Sequence, residues 1–575
     1  MNKLKITYNL IPIKFRWKLK LIFILIFLAS LVDLLSIGLI YPLLTVLFNP
    51  KEISFFGINF QIEKLFLEYT QKEIIIYSLV AFNLLIIFKN IFVFLVNYLR
   101  IRLFVNIQLS LTKNLYENYM TKNHLFHIKT HSSTLVRNIL TETKLFVKKN
   151  IFLYMDFFSN FVVLIGLLVI SLNVKFTETI VILLILTIFG FIYFKFLKQM
   201  FVKLGEKRII LEGNLYKFVR ESLDGYREIK IYGVDKFFKE NFLSKLFKKE
   251  KVGKKISIFA MVPKHLLEIL TIIFFSIIIL FFLKDYNQNL TNAIPDIGII
   301  SVILIRLYPA VNKLIFDLQT LKISYPTSQL LHDQFNNLKE YNIKDTKDDT
   351  TKINFNHHIE LKNVSFKYPN REQLIFENVN IKFDKGKAYG ILGQSGSGKS
   401  TFLDLITSFI NPTVGSVSVD DVEILSQKNW MNKISYVSQN TFILDDTIKN
   451  NIIFGDTENF NENLFLESLK LSNSLDFIND LKDGYETIVG EDGSQLSGGQ
   501  RQRINIARAI YKKSEIIIFD EATSALDKEN ENLIFNSIGN LMGTKTLFIV
   551  THKRDLVEKC NIKFEIKDKT IKSYK

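Results

Sequence analysis

Cysteine is almost absent from this chain, which has 575 residues and a single cysteine, Cys560. One cysteine excludes an internal disulfide and any metal site built from a cluster of cysteines. Acidic residues are also scarce, because 56 Asp and Glu stand against 73 Lys and Arg and leave a formal charge of +17. A soluble nucleic-acid-binding protein of that charge would be polar throughout, whereas this chain is 48% hydrophobic with a mean hydropathy of +0.18.

Apolar residues are abundant, and 52 phenylalanines exclude disorder for most of the chain. The length predicts two or more domains. Residues 1–340 hold 43 Lys and Arg against 23 Asp and Glu, a charge of +20, while residues 341–575 hold 30 against 33, a charge of −3. The basic excess and the long apolar runs therefore belong to the first part, and the second part resembles an ordinary soluble domain.

Six apolar segments in the first part are long enough to cross a bilayer, for which about 20 helical residues suffice. They are residues 21–48, 74–99, 151–173, 178–201, 257–283 and 295–322. Basic residues precede the first segment, as in a signal peptide, but its apolar run is too long and no small-residue cleavage site follows. We therefore predict an α-helical transmembrane domain of six spans over residues 1–340.

Lys and Arg predict the orientation of these spans, since they concentrate in cytoplasmic loops. Residues 1–20, 100–149 and 202–256 carry 6, 9 and 15 of them, whereas residues 48–73, 174–177 and 284–294 carry 3, 1 and 1. The N-terminus, both long loops and the C-terminal domain are predicted to be cytoplasmic. The long loops are predicted to be helical extensions of the spans, with contact elements near residues 131–139 and 221–233.

A polar stretch, residues 341–358, has the composition of a linker, and a domain over residues 359–575 follows it. There a short apolar strand, AYGIL, leads into GQSGSGKS at 393–400 and then into a helical segment. Strand, glycine-rich loop and helix predict a phosphate-binding P-loop, whose backbone amides surround phosphate oxygens. Lys399 would reach the β and γ phosphates, and Ser400 would supply a hydroxyl ligand to Mg²⁺.

A second apolar strand ends in two carboxylates, in EIIIFDEATSALD at 515–527. Asp520 is predicted to contact Mg²⁺, and Glu521 to act as the base that orients and deprotonates the attacking water. A third strand, TLFIVTH, places His552 at its end, where it would contact the γ-phosphate. The segment LSGGQ at 496–500 opens a helix, so that Ser497 and the glycine amides form a second anion-binding helix start. One nucleotide does not need two phosphate-binding elements from the same chain, so the P-loop and the LSGGQ helix start suggest that two copies share each ATP.

These motifs, together with Gln439 in YVSQN, resemble the nucleotide-binding domain of the ATP-binding cassette (ABC) superfamily, an α/β P-loop fold. The resemblance implies that Tyr368 stacks on adenine, that Gln439 links Mg²⁺ to the membrane contact, and that SALD at 524–527 crosses the dimer interface. Asp492 departs from the pattern, because a basic residue is common there. The complete nucleotide-binding set is Tyr368, Gly393, Ser395, Gly396, Gly398, Lys399, Ser400, Thr401, Ser497, Gly498, Gly499 and Gln500; the catalytic set is Glu521, His552 and Gln439; the metal set is Ser400, Gln439 and Asp520.

Six spans followed by one cassette resemble a half-transporter of the exporter type, which implies a homodimer that moves an amphipathic substrate with ATP. The family's contact elements match residues around Ser132–Arg137 and Gly225–Glu228. Segments such as LVDLLSIGLIYPLLTVL (31–47) and RLYPAVNKL (306–314) are similar to bacterial lipid-linked oligosaccharide flippases of the inner membrane. The resemblance thus predicts membrane lipid and a second copy as partners, and no nucleic acid.

Three ionisable residues lie near the middle of predicted spans, where a charge costs about 2.5–3.5 kcal/mol on insertion. These are Asp33, Glu268 and Arg306. One interpretation makes them substrate contacts, with Arg306 on an anionic group; the other pairs Arg306 with an acid or places it in a water-filled cavity. A peptide, drug or lipid A-type exporter is an alternative, although no N-terminal cysteine peptidase domain is expected. An ATP-gated channel or a regulatory membrane ATPase is the alternative of another class.

Overall fold

The computed structural model describes residues 3–38, 52–55, 58–61, 70–174, 176–285, 290–336, 353–369, 371–424, 428–522, 528–539 and 541–574. The chain separates into two compact units. The membrane unit comprises residues 1–120 and 129–340, and the cassette unit comprises residues 121–128 and 341–575. The predicted linker is only partly described, and two of its residues, Ile353 and Phe355, are buried in the cassette core.

Long helices make up the membrane unit: Ile13–Gly38, Gln71–Met120, Phe152–Val174, Phe176–Asp224, Asp235–Asp285 and Leu290–Asn336. Shorter helical pieces are Lys3–Leu10, Ser132–Arg137, Thr143–Phe146 and Tyr226–Ile231, with single π-helical turns at Asn138–Glu142 and Val147–Ile151. Strands β1 (Glu52–Phe55) and β2 (Ile58–Gln61) form an antiparallel hairpin. Where described, each predicted span falls within one long helix.

Within the described residues, four helical stretches are long and apolar enough to cross a membrane: Ile13–Ser36, Ile75–Met120, Ser132–Leu172 and Asp235–Ile277. The other two predicted spans lie in the helices Phe176–Asp224 and Leu290–Asn336. Helix Gln71–Met120 has 50 residues and is therefore about 75 Å long at 1.5 Å per residue. That length exceeds a hydrocarbon core of about 30 Å, so the helix extends well beyond the bilayer, as the loop pattern predicts.

The first long loop places a different segment on the cassette from the one predicted. Residues 121–128 belong to the cassette unit; Leu125 packs against the cassette core, and the His124 ring stacks 5.9 Å from that of Phe409. The predicted element, Ser132–Arg137, belongs instead to the membrane unit. There the buried Arg137 donates to the backbone oxygen of Ile209 at 2.8 Å, because its guanidinium needs acceptors once it is removed from water.

The cassette unit contains two sheets. The larger sheet contains β5 (Ala388–Gly393), β8 (Ile434–Val437), β9 (Ile516–Asp520), β10 (Thr546–Thr551), β11 (Ile562–Lys567) and β12 (Thr570–Ser573). Its strand order is β12-β11-β5-β10-β9-β8, and all neighbouring strands are parallel except the edge strand β12, which is antiparallel to β11. An antiparallel sheet, β4-β3-β6-β7, comprises β3 (His358–Phe366), β4 (Phe376–Asp384), β6 (Val414–Val419) and β7 (Val422–Glu423). The central strands are continuous apolar runs, as parallel strands buried on both faces require.

Helices flank these sheets, and aromatic side chains fill the space between them. The helices are Lys399–Ile406, Lys428–Met431, Ile448–Ile453, Glu462–Leu471, Leu475–Asn479, Gly498–Tyr511, Lys528–Gly539 and Arg554–Glu558, and the segment His124–Lys129 is also helical. Phe383 meets the rings of Tyr389, Phe402 and Phe548 at centroid distances of 5.0, 5.7 and 5.1 Å. This cluster joins β4, β5, β10 and the helix Lys399–Ile406, and so fixes the loop between β5 and that helix.

Candidate nucleotide-binding site

Parallel pairing brings the predicted motifs to one edge of the large sheet. Strands β5, β10, β9 and β8 are neighbours, and ligands of open α/β sheets bind beyond the carboxyl ends of their strands. The P-loop follows β5, His552 follows β10, Asp520 ends β9 and Gln439 lies two residues after β8. Residues that are more than 150 positions apart in the sequence therefore come together.

The P-loop has a backbone that only glycine adopts easily. Gly396 and Gly398 have φ angles of +81° and +104°, in the left-handed region that side chains avoid. Gly398 caps the helix Lys399–Ile406, so the amides at the start of that helix face the loop. The Lys399 ammonium donates to the Gly393 oxygen at 2.9 Å, and its side chain is 9% exposed.

Glu521 is the centre of the polar cluster at this edge. Its carboxylate lies 3.2 Å from Lys399 Nζ, accepts a hydrogen bond from Gln439 Nε2 at 3.0 Å, and lies 3.6 Å from His552 Nδ1. Its φ is +48°, a strained value for a non-glycine residue of the kind that occurs at functional sites. Its amide is held by Val550 O at 2.8 Å. The structure thus brings together four residues predicted from separate motifs, Glu521, Lys399, Gln439 and His552.

Asp520 is held by a residue that the motifs did not identify. Tyr436 donates a hydrogen bond from its hydroxyl to Asp520 Oδ2 at 2.7 Å. Burial raises the pKa of Asp520, and the neighbouring charge of Glu521 acts in the same direction. Burial and the charge of Asp520 also raise the pKa of Asp404, to about 7. Tyr436 lies on β8, three residues before Gln439, and β8 pairs with β9, which ends in Asp520. Only the pairing of these two strands could have indicated the contact between Tyr436 and Asp520.

The concentration of carboxylates tests whether a divalent cation fits here. Burial, together with the charge of a neighbouring carboxylate, raises the pKa of both Asp404 and Asp520, while Glu521 lies beside Lys399. A cation beside these acids would offset their negative charge. The Ser400 hydroxyl, the Asp520 carboxylate and the Gln439 amide oxygen are hard oxygen ligands of the kind that Mg²⁺ prefers. The donor set therefore fits Mg²⁺.

The LSGGQ segment forms a well-capped helix start. Ser497 Oγ accepts from the amide of Gln500 at 3.2 Å, while Gln500 Oε1 accepts from the amide of Ser497 at 2.8 Å. This reciprocal capping box holds the glycine amides at the start of the helix Gly498–Tyr511, and Ser497 and Gly498 are exposed. Further along that helix, Gln502 Nε2 donates to the backbone oxygen of Glu521 at 3.4 Å. The SALD segment, residues 524–527, lies outside the described residues.

Tyr368 lies beside the P-loop helix. Its hydroxyl is 3.2 Å from Thr401 Oγ1, and its ring packs edge-on against Phe366 with the centroids 5.0 Å apart. The position is compatible with an aromatic face beside a nucleotide base. Ser395, the remaining predicted P-loop residue, lies in the turn between β5 and the helix.

The three candidate substrate residues have different surroundings within the membrane unit. Asp33 pairs with Lys89 at 2.7 Å and lines a cavity. Glu268 is exposed, 3.8 Å from His265, and is not among the residues that line this cavity. The Arg306 side chain lies outside the described residues, so its predicted pairing stays a prediction; Asp33 has Lys89 as its partner.

A P-loop, a carboxylate pair at a strand end and a capped LSGGQ helix define the second unit as a nucleotide-binding P-loop domain. The sequence profile of the ABC transporter matches residues 376–524, and that of the ABC transporter transmembrane region matches residues 19–302. Together the two profiles cover most of the chain. This chain belongs to the ABC transporter family.

Individual relatives agree with the family. The chain is 40% identical over 205 residues to the ATP-dependent lipid A-core flippases of Escherichia coli strain K12 and Shigella flexneri, a match that covers 35% of this chain and 35% of each flippase. The chain thus matches about a third of the length of these curated relatives. The structure of a bacterial Atm1-family ABC exporter with ATP bound superposes with a TM-score of 0.81 at 19% identity, over 97% of this chain and 94% of that one. That likeness confirms the exporter-type fold predicted from the order of spans and cassette.

Proposed function

We propose that this protein is an ATP-driven exporter or flippase that moves an amphipathic, anionic lipid across a bacterial inner membrane. The observation that carries the proposal is the cluster of Glu521, Lys399, Gln439 and His552 at one sheet edge, in a chain whose other unit consists of membrane-length helices. A complete set of hydrolytic residues favours ATP turnover over a gate that only binds nucleotide.

Each residue of the cluster has a chemical role in this proposal. Lys399 and the P-loop amides neutralise the phosphates, and the Tyr368 ring stacks on adenine. Glu521 accepts a proton from the attacking water as the water oxygen bonds to the γ-phosphorus and the bond from that phosphorus to the bridging oxygen of ADP breaks, which yields ADP and inorganic phosphate. His552 contacts the γ-phosphate. Positioning and charge neutralisation supply most of the catalysis in phosphoryl transfer.

Ser400, Asp520 and Gln439 would hold Mg²⁺, which supplies charge neutralisation at the phosphates when it is bound. The hydrogen bond from Tyr436 fixes the Asp520 carboxylate. Gln439, which contacts Glu521 in this structure, would exchange that contact for one with the ion.

Two copies of the chain would form the working transporter. The exposed Ser497 and the glycine amides of the LSGGQ segment are a second anion-binding helix start, so that each ATP would lie between the P-loop of one copy and the LSGGQ helix of the other. Residues 121–128 pack on the cassette core and would carry cassette motion to the spans. The basic loops favour a cytoplasmic N-terminus and cassette.

Two cargo classes have support. Lipid-linked oligosaccharide follows from the resemblance of the membrane segments, and a lipid A-type lipid follows from the flippase relatives. Purified protein in liposomes should move one of these lipids between leaflets only when ATP is supplied. Labelled lipids of both classes, assayed side by side with Glu521→Gln as the inactive control, identify the cargo; a peptide or drug that stimulates ATPase activity without lipid movement would contradict the proposal.

A further inference from the structure

We propose that the helical segment between the cassette-contacting residues 121–128 and the third predicted span is a switch with two helical registers. The switch rests on the proposed function, since it would couple ATP-driven movement of residues 121–128 to the spans. Two π-helical turns, Asn138–Glu142 and Val147–Ile151, interrupt this otherwise α-helical segment. Single π turns inside α-helices are rare and occur frequently at functional sites. The register segment is defined here as residues 132–151.

A π turn differs from an α turn by one residue. Its hydrogen bond joins residues five apart in the sequence, whereas the bond of an α turn joins residues four apart. Conversion of a π turn to the α pattern therefore turns the chain on one side of it by one residue relative to the other side. In α-helical geometry that step is about 100° of rotation and about 1.5 Å of rise, enough to move a buried side chain from one hydrogen-bond partner to another.

The first π turn is held in its register by buried polar side chains. Asn138, 1% exposed, donates to the Tyr119 hydroxyl at 3.1 Å and accepts from Arg137 Nη2 at 2.9 Å. Tyr119 in turn donates to Gln334 Oε1 at 2.9 Å. Hydrogen bonds weaken steeply when they lengthen or bend. These contacts therefore select a discrete arrangement, whereas apolar packing alone would tolerate small shifts.

The end of the first π turn and the second π turn have polar partners on the last long helix of the membrane unit. Glu142 is fully buried, and its Oε2 accepts from Arg208 at 3.2 Å and from Thr327 at 2.8 Å. In the second turn, Asn150 Oδ1 accepts from Ser324 Oγ at 3.1 Å, and Asn150 Nδ2 donates to the Ser324 backbone oxygen at 3.3 Å. A change of register would break these contacts together.

Three buried polar atoms near the register segment have no hydrogen-bond partner among the described residues. They are Arg137 Nε, Glu142 Oε1 and Ser328 Oγ. A buried polar group without a partner costs free energy, so a second register that pairs these atoms would offset the loss of the present contacts. A defined register and polar groups left over for another are the features of a two-state element, whose populations a bound nucleotide can shift.

Hydrogen exchange by the full-length protein in lipid nanodiscs tests the switch directly. The amides of residues 138–151 should change their exchange rates by about tenfold or more when ATP and Mg²⁺ are added to Glu521→Gln, which holds ATP without turnover. The change is expected because each amide acquires a different carbonyl partner. Residues 101–112, in the α-helix Gln71–Met120, are the internal reference and should exchange equally in both conditions.

Deletion of Leu140 tests the register itself. This side chain lies in the first π turn and is 63% exposed, so its removal restores the α pattern there without leaving a cavity. The variant should keep ATP binding and basal ATPase activity, because no cassette residue changes. It should lose ATP-driven lipid translocation and the nucleotide-dependent change in exchange. Leu140→Ala is the matched control, since it removes most of the same side chain, keeps the π turn and should behave as wild type.

Glu142→Gln is a second variant that leaves the chain length unchanged. The amide oxygen can still accept from Thr327, but the charge that attracts Arg208 is lost. The amount of lipid translocated per ATP hydrolysed should therefore fall by about tenfold. Glu117→Gln, which removes a carboxylate from an exposed pair with Lys113, should leave that ratio unchanged.

The outcomes separate the switch from the proposed function. Absence of ATP-driven translocation in wild type would refute the proposed function, and hydrogen exchange alone would then decide the switch. Equal exchange of residues 138–151 with and without ATP would overturn the switch. So would a wild-type ratio of translocation to hydrolysis in both the Leu140 deletion and Glu142→Gln, or an equal loss in Leu140→Ala, which would assign the effect to the side chain and not to the register.

Discussion

The cassette unit and the membrane unit handle their charged residues differently. In the cassette, Glu521, Lys399 and Gln439 meet at the carboxyl ends of neighbouring parallel strands, where loops leave a site open to a ligand. In the membrane unit, pairs such as Arg100 with Asp156 lie between helices. Strand topology gathers residues that follow recognisable motifs, whereas helix packing gathers residues that no motif marks. A sequence motif therefore identifies a site only where the fold places the motif's residues in the same geometry in every member of the family.

Among the variants that test this contrast, Glu521→Gln is expected to have the largest effect, a loss of ATPase activity. The amide keeps the shape of the side chain but cannot accept a proton, so ATPase activity should fall by about 100-fold or more while ATP binding persists. Lys399→Ala should instead weaken ATP binding itself, because it removes the cation at the phosphates. Parallel measurements of ATPase rate and nucleotide affinity separate the two roles; near-normal turnover in Glu521→Gln would refute the base assignment.

A buried charge of the membrane unit should affect stability instead. Glu142 is fully buried, and its Oε2 accepts from Arg208 at 3.2 Å and from Thr327 at 2.8 Å. Glu142→Ala should lower the free energy of unfolding by about 3 kcal/mol, because it leaves the partly buried Arg208 guanidinium with Glu212 as its only remaining carboxylate partner among the described residues. Glu117→Ala is the matched control, since its pair with Lys113 is exposed and should cost less than about 1 kcal/mol. Thermal unfolding in detergent measures both, and equal losses would contradict the prediction.

A smaller effect is expected from Tyr436→Phe, which removes the 2.7 Å hydrogen bond to Asp520. A hydrogen bond to a charged group contributes about 1.5–3 kcal/mol, so the Mg²⁺ concentration for half-maximal ATPase activity should rise by about tenfold. Tyr485→Phe is a suitable control, because no hydrogen bond of that hydroxyl occurs among the described residues. An unchanged Mg²⁺ requirement would show that Tyr436 does not support the metal-binding residue Asp520.

The smallest effect concerns pH. The pKa of Asp404 is raised to about 7, from 3.8, so between these values the folded chain keeps a proton that the unfolded chain releases. The contribution of Asp404 to the free energy of unfolding therefore falls as pH rises through this window. In EDTA, the melting temperature of wild type should decline more from pH 5 to pH 7 than that of Asp404→Asn. Identical slopes would show that Asp404 is not the group responsible.

The cassette site was largely predictable from the sequence. The P-loop, the DE pair, His552 and LSGGQ each have local spacing that reports their backbone geometry, and parallel strand order then brings most of them together. Tyr436 was not predictable, since its contact with Asp520 depends on the pairing of β8 with β9. The first loop was misassigned for a similar reason: residues 121–128 and Ser132–Arg137 are both short polar helical pieces, and only packing separates Leu125 on the cassette core from the buried Arg137.

The sequence by itself determined the division of the chain, because long apolar runs and basic loops differ in composition from a β-rich soluble domain. It also determined the nucleotide chemistry, because glycines, a lysine and paired carboxylates at these spacings are compatible with few backbone conformations other than those of a phosphate-binding site. Only the tertiary structure decided which charges pair within the membrane unit, as Lys89 does with Asp33 and Arg100 with Asp156. Those outcomes depend on how helices far apart in the sequence rotate and pack, and helical periodicity alone leaves that rotation open.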